Sequence, residues 1–295
     1  MSALHTGYLY VVLAAALWAT LGVASRGVLA AGVTPLELAF WRAMLGGLLF
    51  AAQAARANQR RVERPDRPAV AAFAVVGVSV FYLSYLLAVR DGGATLAAIL
   101  LYTAPAWVAL ASALWLRAPV TQRAVGAIAI TLAGVCLVAW GAGSAAGVRL
   151  GPSGIAWGLC AGLAYASYYL FGSRYFTRYQ PATLFMYALP LGALILLPAV
   201  QFAPKDSETW GWIAFVAVVP TWIALQVYGA GLRRLDATRA VTVATLEPVI
   251  AALLAYIVWG EALGPIAYVG GVLVLLGVML SASVQDARPA TQSKG

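Results

Sequence analysis

The chain has 295 residues, of which 63% are hydrophobic and only 10% are charged. A soluble domain needs far more charge on its surface and cannot bury so much apolar side-chain area in one core, so a soluble fold is excluded. The net charge of +9 would suggest a nucleic-acid partner in a soluble protein. Here the basic residues lie between apolar segments, as membrane topology signals do, and no nucleic-acid partner is predicted.

Ten apolar segments follow one another along the chain, each close to the roughly 20 residues with which a helix crosses the hydrocarbon of a bilayer. The sequence therefore predicts an all-α integral membrane fold with ten spans. Their predicted ranges are 8–30, 36–55, 68–89, 93–115, 122–142, 153–173, 181–200, 209–231, 238–259 and 264–284. The first is too long for a signal peptide and is predicted to be retained. The tail 285–295 is polar and predicted to be disordered.

The basic residues outside the spans are distributed unevenly between the two membrane sides. Ten spans put both termini on one side, which carries 14 Lys and Arg residues against 4 on the other. Basic loops stay in the cytoplasm, so both termini are predicted to be cytoplasmic. Arg far outnumbers Lys, and Ala and Gly are abundant, as in proteins of GC-rich bacteria. We therefore expect a bacterial inner membrane.

The two halves of the chain resemble each other. An Ala-Thr-x-Ala run precedes Pro105 in span 4 and Pro248 in span 9, and the two prolines are 143 residues apart. The same offset separates Gly134 from Gly277. These matches predict an internal repeat, with a first copy in 1–146 and a second in 147–284.

Five spans per copy is an odd number, so the second copy must enter the membrane upside down relative to the first. Inverted repeats are a common construction of secondary transporters, in which two halves rock around a central site and expose it to each side in turn. The sequence therefore predicts a central cavity and transport by alternating access. A duplicated bundle without a transport role is the alternative.

Pro105 and Pro248 lie in the middle of spans 4 and 9. Proline removes one backbone hydrogen bond and crowds the preceding turn, so each helix is expected to kink there. The kinks are either hinges that line the cavity or bends tolerated through packing against neighbouring helices.

Three stretches resemble the EamA-type branch of the drug/metabolite transporter superfamily over about residues 8–284. They are Pro35 with Phe40-Trp41-Arg42, the Ala-x-x-Ala…Pro pattern of spans 4 and 9, and Trp259-Gly260-Glu261. Within this branch the chain is most similar to the bacterial YddG-type exporters of aromatic amino acids. The resemblance implies a ten-helix basket with a large central cavity that exports amino acids or similar metabolites. The first half departs from the pattern, with Arg117-Ala118 where the second has Gly260-Glu261.

Polar and aromatic side chains gather on single faces in the middle of several spans. At 100° per residue, Tyr165 and Tyr169 share a face of span 6 with three glycines, opposite a leucine face assigned to lipid. Rings at mid-depth suit an aromatic or apolar substrate with a small polar head group. Packing within the core is the alternative for each. The predicted substrate-binding residues are Trp18, Ser79, Tyr82, Tyr85, Tyr102, Trp107, Tyr165, Tyr169, Trp222, Gln226 and Glu247.

Glu247 is the one acidic residue predicted to lie deep in a span. An ionised carboxylate there costs several kcal/mol unless it is paired or hydrated. Glu247 can therefore receive a substrate ammonium, carry a proton, or pair with Arg42. Arg42 is the only basic residue clearly inside a span, which disfavours phosphorylated substrates because these need several buried cations.

The remaining chemistry is sparse. The only histidine is His5, Cys136 and Cys160 lie in apolar runs where packing explains them, and there is no Walker motif. No metal, cofactor or enzymatic activity is predicted. The sequence predicts a secondary transporter, surrounded by lipid and with a monomer as the simplest assembly, that exports aromatic and other apolar amino acids. A proton-coupled exporter of drugs or organic cations is the alternative.

Overall fold

The computed structural model describes residues 3–114, 121–142, 151–259 and 264–283, and within these ranges every regular element is helical. The α-helices are α1 (Ala3–Ala30), α2 (Pro35–Arg56), α3 (Arg67–Phe73), α4 (Phe81–Gly92), α5 (Ala94–Leu101), α6 (Ala104–Leu114), α7 (Gln122–Ala142), α8 (Pro152–Tyr175), α9 (Pro181–Leu196), α10 (Ser207–Ala217), α11 (Ala224–Leu232), α12 (Ala237–Ala244), α13 (Glu247–Trp259) and α14 (Pro265–Ser283). Short 3₁₀ turns cover Arg64–Asp66 and Leu197–Ala199, and π-helices cover Ala74–Val80 and Val218–Ile223.

These elements join into segments that coincide with the predicted spans. Eight segments in the described ranges are long and apolar enough to cross a membrane, and the helices at 122–138 and 265–280 are shorter apolar ones. Many large apolar side chains point outwards, including Leu114 and Ile257, each 66% exposed. A lipid surrounding accepts such a surface and water does not. The all-α fold is confirmed, and the chain is a multi-pass membrane protein.

Polar residues start the helices that follow loops. Thr34 accepts a hydrogen bond from the Glu37 amide at 3.1 Å, and Pro35 occupies the first helical position of α2. Asp206 accepts from the Thr209 amide at 2.8 Å and starts α10. These hydrogen bonds satisfy amides that have no partner inside the helix. The hydrogen bonds that Thr209 makes with Asp206 also lower the pKa of the Asp206 carboxyl group.

The third and eighth segments each contain a π-helix at corresponding places. A π-helix carries an extra residue in the turn, which leaves backbone carbonyls without their usual amide partner. Ser79 donates to the carbonyl of Ala74 at 3.2 Å, and Thr221 donates to the carbonyl of Val216 at 2.8 Å. In both cases a hydroxyl five residues further along supplies the missing donor.

The fourth and ninth segments are broken where the prolines predict it. α5 gives way to α6 at Tyr102 and Thr103, and α12 gives way to α13 at Thr245 and Leu246. The two breaks are 143 residues apart, and each precedes its proline by two to three residues, where the ring crowds the backbone. The predicted interruptions are confirmed, whereas movement at these hinges, Pro105 and Pro248, stays a prediction.

Helices α7 and α14 pack closely through glycines. A Cβ atom on Gly134 would lie 2.6 Å from the amide nitrogen of Val274, and one on Gly277 would collide with the Thr131 hydroxyl. Thr131 and Val274 are also separated by the repeat offset of 143. The two contacts therefore occupy corresponding positions in the two halves.

Several sequence features lie outside the described residues, namely Arg117-Ala118, Gly260-Glu261 and the tail 285–295. Cys136 and Cys160 are free thiols of intermediate exposure within α7 and α8.

Candidate functional site

The two broken helices meet at a narrow gap inside the bundle. The gap encloses about 150 Å³ between the break in the fourth segment, the break in the ninth and one face of α8. Its lining residues are Tyr102, Ala104, Pro105, Tyr165, Tyr169, Val241, Ala244 and Thr245. Three of them are predicted substrate-binding residues, and Pro105 is a predicted hinge.

Glycines on α8 allow the break in the fourth segment to lie close to the tyrosines of α8. A Cβ atom on Gly162 would lie 2.6 Å from both the Leu100 carbonyl oxygen and the Thr103 hydroxyl. Only glycine lets the broken helix approach α8 this closely. Tyr165 follows Gly162 by three residues and so emerges beside the break. The Gly-Tyr pattern of span 6 thus positions the site.

Four tyrosines lie within electrostatic range of Glu247 and are called the tyrosine cluster here: Tyr85, Tyr102, Tyr165 and Tyr169. The charge of Glu247 acts on all four rings. Tyr169 donates its hydroxyl proton to the Tyr165 oxygen at 3.0 Å. Glu247 is the first residue of α13, directly after the break in the ninth segment. The cluster draws on three of the predicted spans, and its Tyr165 hydroxyl lies within hydrogen-bonding range of the Glu247 carboxyl group.

Arg42 holds a second charge near the cluster. Its Nε donates to the Thr221 hydroxyl oxygen at 2.8 Å, and its Cζ lies 5.6 Å from the centre of the Tyr82 ring. The guanidinium interacts electrostatically with Glu247 across the site, and the Tyr165 hydroxyl lies within hydrogen-bonding range of that carboxyl group. No ion pair within 4 Å joins Arg42 and Glu247, both of which are described residues. The direct-pair alternative is therefore wrong in this conformation.

Other predicted residues lie around the cluster. Trp18 packs on Tyr228 at 5.4 Å between ring centres, and Tyr228 packs on Tyr169 at 5.6 Å, so Trp18 lies one layer behind. Trp107 donates its indole N–H to the Thr103 hydroxyl at 3.1 Å and braces the break. Ser79 donates to the Gly192 carbonyl at 3.0 Å and lies in the contact with α9.

Trp222 and Gln226 form a separate polar group with Gln53. Gln53 accepts from the Trp222 indole at 2.9 Å and donates to the Gln226 oxygen at 2.7 Å. Sequence reasoning selected two of these residues and missed Gln53. The position of Gln53 could have identified it, because a side-chain amide in the last third of an otherwise apolar span needs a hydrogen-bond partner.

A buried ion pair lies at the opposite end of α2 from Gln53. Lys205 donates to Glu37, and their side chains are 6% and 0% exposed. Glu37 also accepts from the Trp41 indole at 3.2 Å and from the Ala203 amide at 3.0 Å. Three rings surround the ammonium at 5.5–5.8 Å and complete what we call the Lys205 box: those of Trp41, Phe202 and Trp210. The sequence placed Lys205 in a loop and did not indicate its burial.

The arrangement offers groups that can bind a small ligand. Among the described residues no group of three or more His, Cys, Asp or Glu side chains could hold a metal ion. The tyrosine cluster offers ring faces, hydroxyls, one anion and one nearby cation. The gap is smaller than the roughly 300–1,000 Å³ of ordinary ligand sites. A ligand of amino-acid size therefore requires the helices around the gap to separate.

Comparisons with known proteins agree on the class of this chain. The sequence model of the EamA-like transporter family matches residues 5–140 and again 152–283. An uncharacterized transporter of Archaeoglobus fulgidus is 29% identical over 92% of this chain and 94% of its own. A probable terminal-alkyne amino-acid exporter of Streptantibioticus cattleyicolor is 26% identical over 91% of both chains.

Two further likenesses concern location and fold. The uncharacterized inner membrane transporter YicL of Salmonella typhimurium is 24% identical over 95% of this chain and 96% of its own. A crystal structure superposes with a TM-score of 0.80 over 96% of this chain and 98% of the other, at 20% identity. At 20% identity, the similarity to this crystal structure shows the fold alone.

Proposed function

Because the chain belongs to the EamA-like transporter family, we propose that it is a secondary transporter that exports amino acids, chiefly aromatic and other apolar ones. The central observation is that an acidic side chain, Glu247, and a basic one, Arg42, lie near one tyrosine-lined gap without pairing directly. In this proposal Glu247 receives the α-ammonium group, Arg42 receives the α-carboxylate, and the rings hold the side chain.

Electrostatics support a substrate with both charges. Unpaired charges at membrane depth are costly, and a ligand that neutralises both recovers part of that cost in the bound state. A zwitterionic amino acid does so with no net charge. An organic cation neutralises Glu247 and leaves Arg42 without an anionic partner, which makes the drug-exporter alternative the weaker one.

We propose that transport follows alternating access between two inverted five-helix halves. The paired helix breaks, the paired π-helices and the reciprocal contacts of α7 and α14 support this relation between the halves. The narrow gap then belongs to a closed conformation that opens through movement at Pro105 and Pro248. Ten spans put both termini on one side of the membrane, and the distribution of basic residues makes this the cytoplasmic side of an inner membrane.

The relatives are compatible with this substrate class. The Streptantibioticus protein is named for amino-acid export, and YicL for an inner membrane location. The narrower similarity to aromatic amino acid exporters rests on the sequence motifs and stays a prediction.

A substrate panel in proteoliposomes tests the proposal. Radiolabelled phenylalanine should exchange across the membrane, and unlabelled phenylalanine should compete. Phenylalanine amide lacks the carboxylate, 3-phenylpropanoate lacks the ammonium, and both should compete at least about tenfold more weakly, since each leaves one buried charge unpaired. Exchange of ethidium without exchange of phenylalanine would favour the drug-exporter alternative.

Replacing Arg42 by glutamine should remove the preference for the carboxylate. Phenylalanine exchange should fall about 30-fold, while phenylalanine amide should compete as well as phenylalanine does, because the cation that distinguishes them is gone. Arg123→Gln is the matched control, since Arg123 is exposed on α7. An Arg42→Gln variant that still prefers phenylalanine to its amide would contradict the assignment of Arg42.

Replacing Tyr165 by alanine should lower phenylalanine exchange about tenfold and leave the amount of folded protein unchanged. The Tyr165 ring borders the gap and stacks on Phe81 at 5.3 Å between centres, and loss of an aromatic contact plus its buried area accounts for this size of effect. Trp107→Ala should act in the same direction. Tyr268→Ala is the control, because this ring is 58% exposed on the outer face of α14. Unchanged exchange in both site variants would refute the placement of the site.

A further inference from the structure

A second, larger cavity lies at the end of the bundle where α2, α8 and α11 finish and α9 begins. It is partly open to the outside and has room for water-sized molecules over about 1050 Å³, whereas the tyrosine-lined gap has no such room. The two share no lining residue. Its lining residues are Asn58, Gln59, Arg60, Arg61, Phe176, Thr177, Arg178, Tyr179, Gln180, Thr183 and Arg233. The transport proposal assigns no role to it.

The lining is strongly basic. Four arginines and no carboxylate line the cavity. The nearby carboxylates, Glu63 and Asp66, both pair with Arg178, each at 3.0 Å. Arg60 donates to the Ala55 carbonyl at 3.4 Å, and Arg233 donates to the Gln180 side-chain oxygen at 2.5 Å. Three guanidinium groups therefore have only neutral acceptors or solvent, and the cavity keeps a positive potential.

An exposed apolar stripe leads away from this cavity along α9. Thr183 lines the cavity, and the residues that follow it on the same ridge are Tyr187, Leu191, Leu194 and Ile195, between 40% and 52% exposed. The Tyr187 hydroxyl donates to the Arg60 carbonyl at 2.7 Å, which joins the stripe to the rim of the cavity. A tyrosine with its ring on the apolar surface and its hydroxyl at the polar edge marks headgroup depth.

We propose that this cavity binds an anionic phospholipid, with the phosphate held by Arg60, Arg61 and Arg233 and an acyl chain lying along the α9 stripe. Guanidinium groups bind phosphate through charge-assisted, often paired hydrogen bonds. Anionic lipids concentrate at basic pockets beside membrane-spanning helices. A free phosphate would use the arginines but not the stripe. In the proposed orientation the lipid belongs to the cytoplasmic leaflet.

Thermal unfolding of the full chain in a neutral detergent tests the lipid site. Phosphatidylglycerol should raise the unfolding midpoint by several degrees, and phosphatidylcholine of the same chain length should not. Arg61→Gln should remove most of this difference, because Arg61 is exposed and has no hydrogen bond or ion pair with the described residues. Arg123→Gln, which removes an equal charge that does not line the cavity, should keep it.

A second measurement separates lipid from free anion. Native mass spectrometry should show phosphatidylglycerol retained by the wild type and Arg123→Gln but lost from Arg61→Gln, with weaker retention in Leu191→Ser. An equal midpoint shift with inorganic phosphate or glycerol phosphate would overturn the lipid assignment in favour of an anion site. Equal shifts with both lipids, or equal losses in both arginine variants, would overturn the site itself.

Discussion

Replacing Lys205 by methionine should lower the free energy of unfolding by about 3–5 kcal/mol, since it leaves a fully buried carboxylate without its cation. Glu37 would keep only the Trp41 indole and the Ala203 amide as partners. The loss should appear as a lower midpoint in thermal or denaturant unfolding in detergent. Methionine keeps the length of the side chain, so the change measures mainly the charge.

The double variant Glu37→Met with Lys205→Met is the control that separates loss of the ion pair from burial of an unpaired charge. Removing both charges together leaves no buried ion to compensate, and the free energy of unfolding should return to within about 1–2 kcal/mol of the wild type. If Lys205→Met alone is as stable as the double variant, the buried pair does not hold this region together.

The Lys205 box also connects the loop after α9 to the candidate site through consecutive residues of α2. Trp41 faces the box, and its neighbour Arg42 reaches Thr221 in the π-helix of the eighth segment. Phe202 and Ala203, in the loop after α9, touch the same group. A movement of α2 that displaces Arg42 therefore also strains the box.

Hydropathy was sufficient to predict the positions of the helices. Each predicted span coincides with a helical segment, and most ends agree within a few residues, because loops with Pro, Gly and charged residues end apolar runs. Proline position predicted both helix breaks, since its effect on the backbone is local. The Gly-Tyr periodicity of span 6 predicted the face that borders the gap.

Features that depend on contacts between distant segments could not be predicted in this way. The π-helices depend on one extra residue per turn, which leaves the hydropathy unchanged. The side chain of Gln53 hydrogen-bonds to Trp222 and Gln226, which are about 170 residues away in the sequence. In the sequence Lys205 resembles an ordinary loop cation, whereas in the structure three rings and Glu37 enclose it. In each case the partner lies on another helix.

The size of the central space differs from the expectation raised by the family resemblance. A large cavity is implied, whereas the gap encloses about 150 Å³. The close approach of Gly162 to the Leu100 carbonyl and the Thr103 hydroxyl holds α8 against the broken fourth segment. A carrier that alternates between two openings must pass through closed forms, so a narrow gap is compatible with the proposed mechanism.

Replacing Glu247 by glutamine should lower phenylalanine exchange about 100-fold, the largest effect expected in the site. The amide keeps the shape of the side chain but loses the charge that receives the ammonium group, and loss of a buried charged partner costs about 2–5 kcal/mol. The exchange assay requires no net proton movement, so it isolates substrate recognition from any proton coupling. Glu208→Gln, an exposed substitution in the first turn of α10, is the control.

The same variant separates the two remaining roles of Glu247. If the carboxylate only carries a proton, exchange should survive in Glu247→Gln while uphill transport driven by a pH gradient is lost. If it receives the ammonium, exchange itself should fail, with or without a gradient, and 3-phenylpropanoate should no longer compete less well than phenylalanine. Wild-type rates in both assays would contradict both roles. Glu247 would then be a buried charge held by the Tyr165 hydroxyl and the field of Arg42 alone.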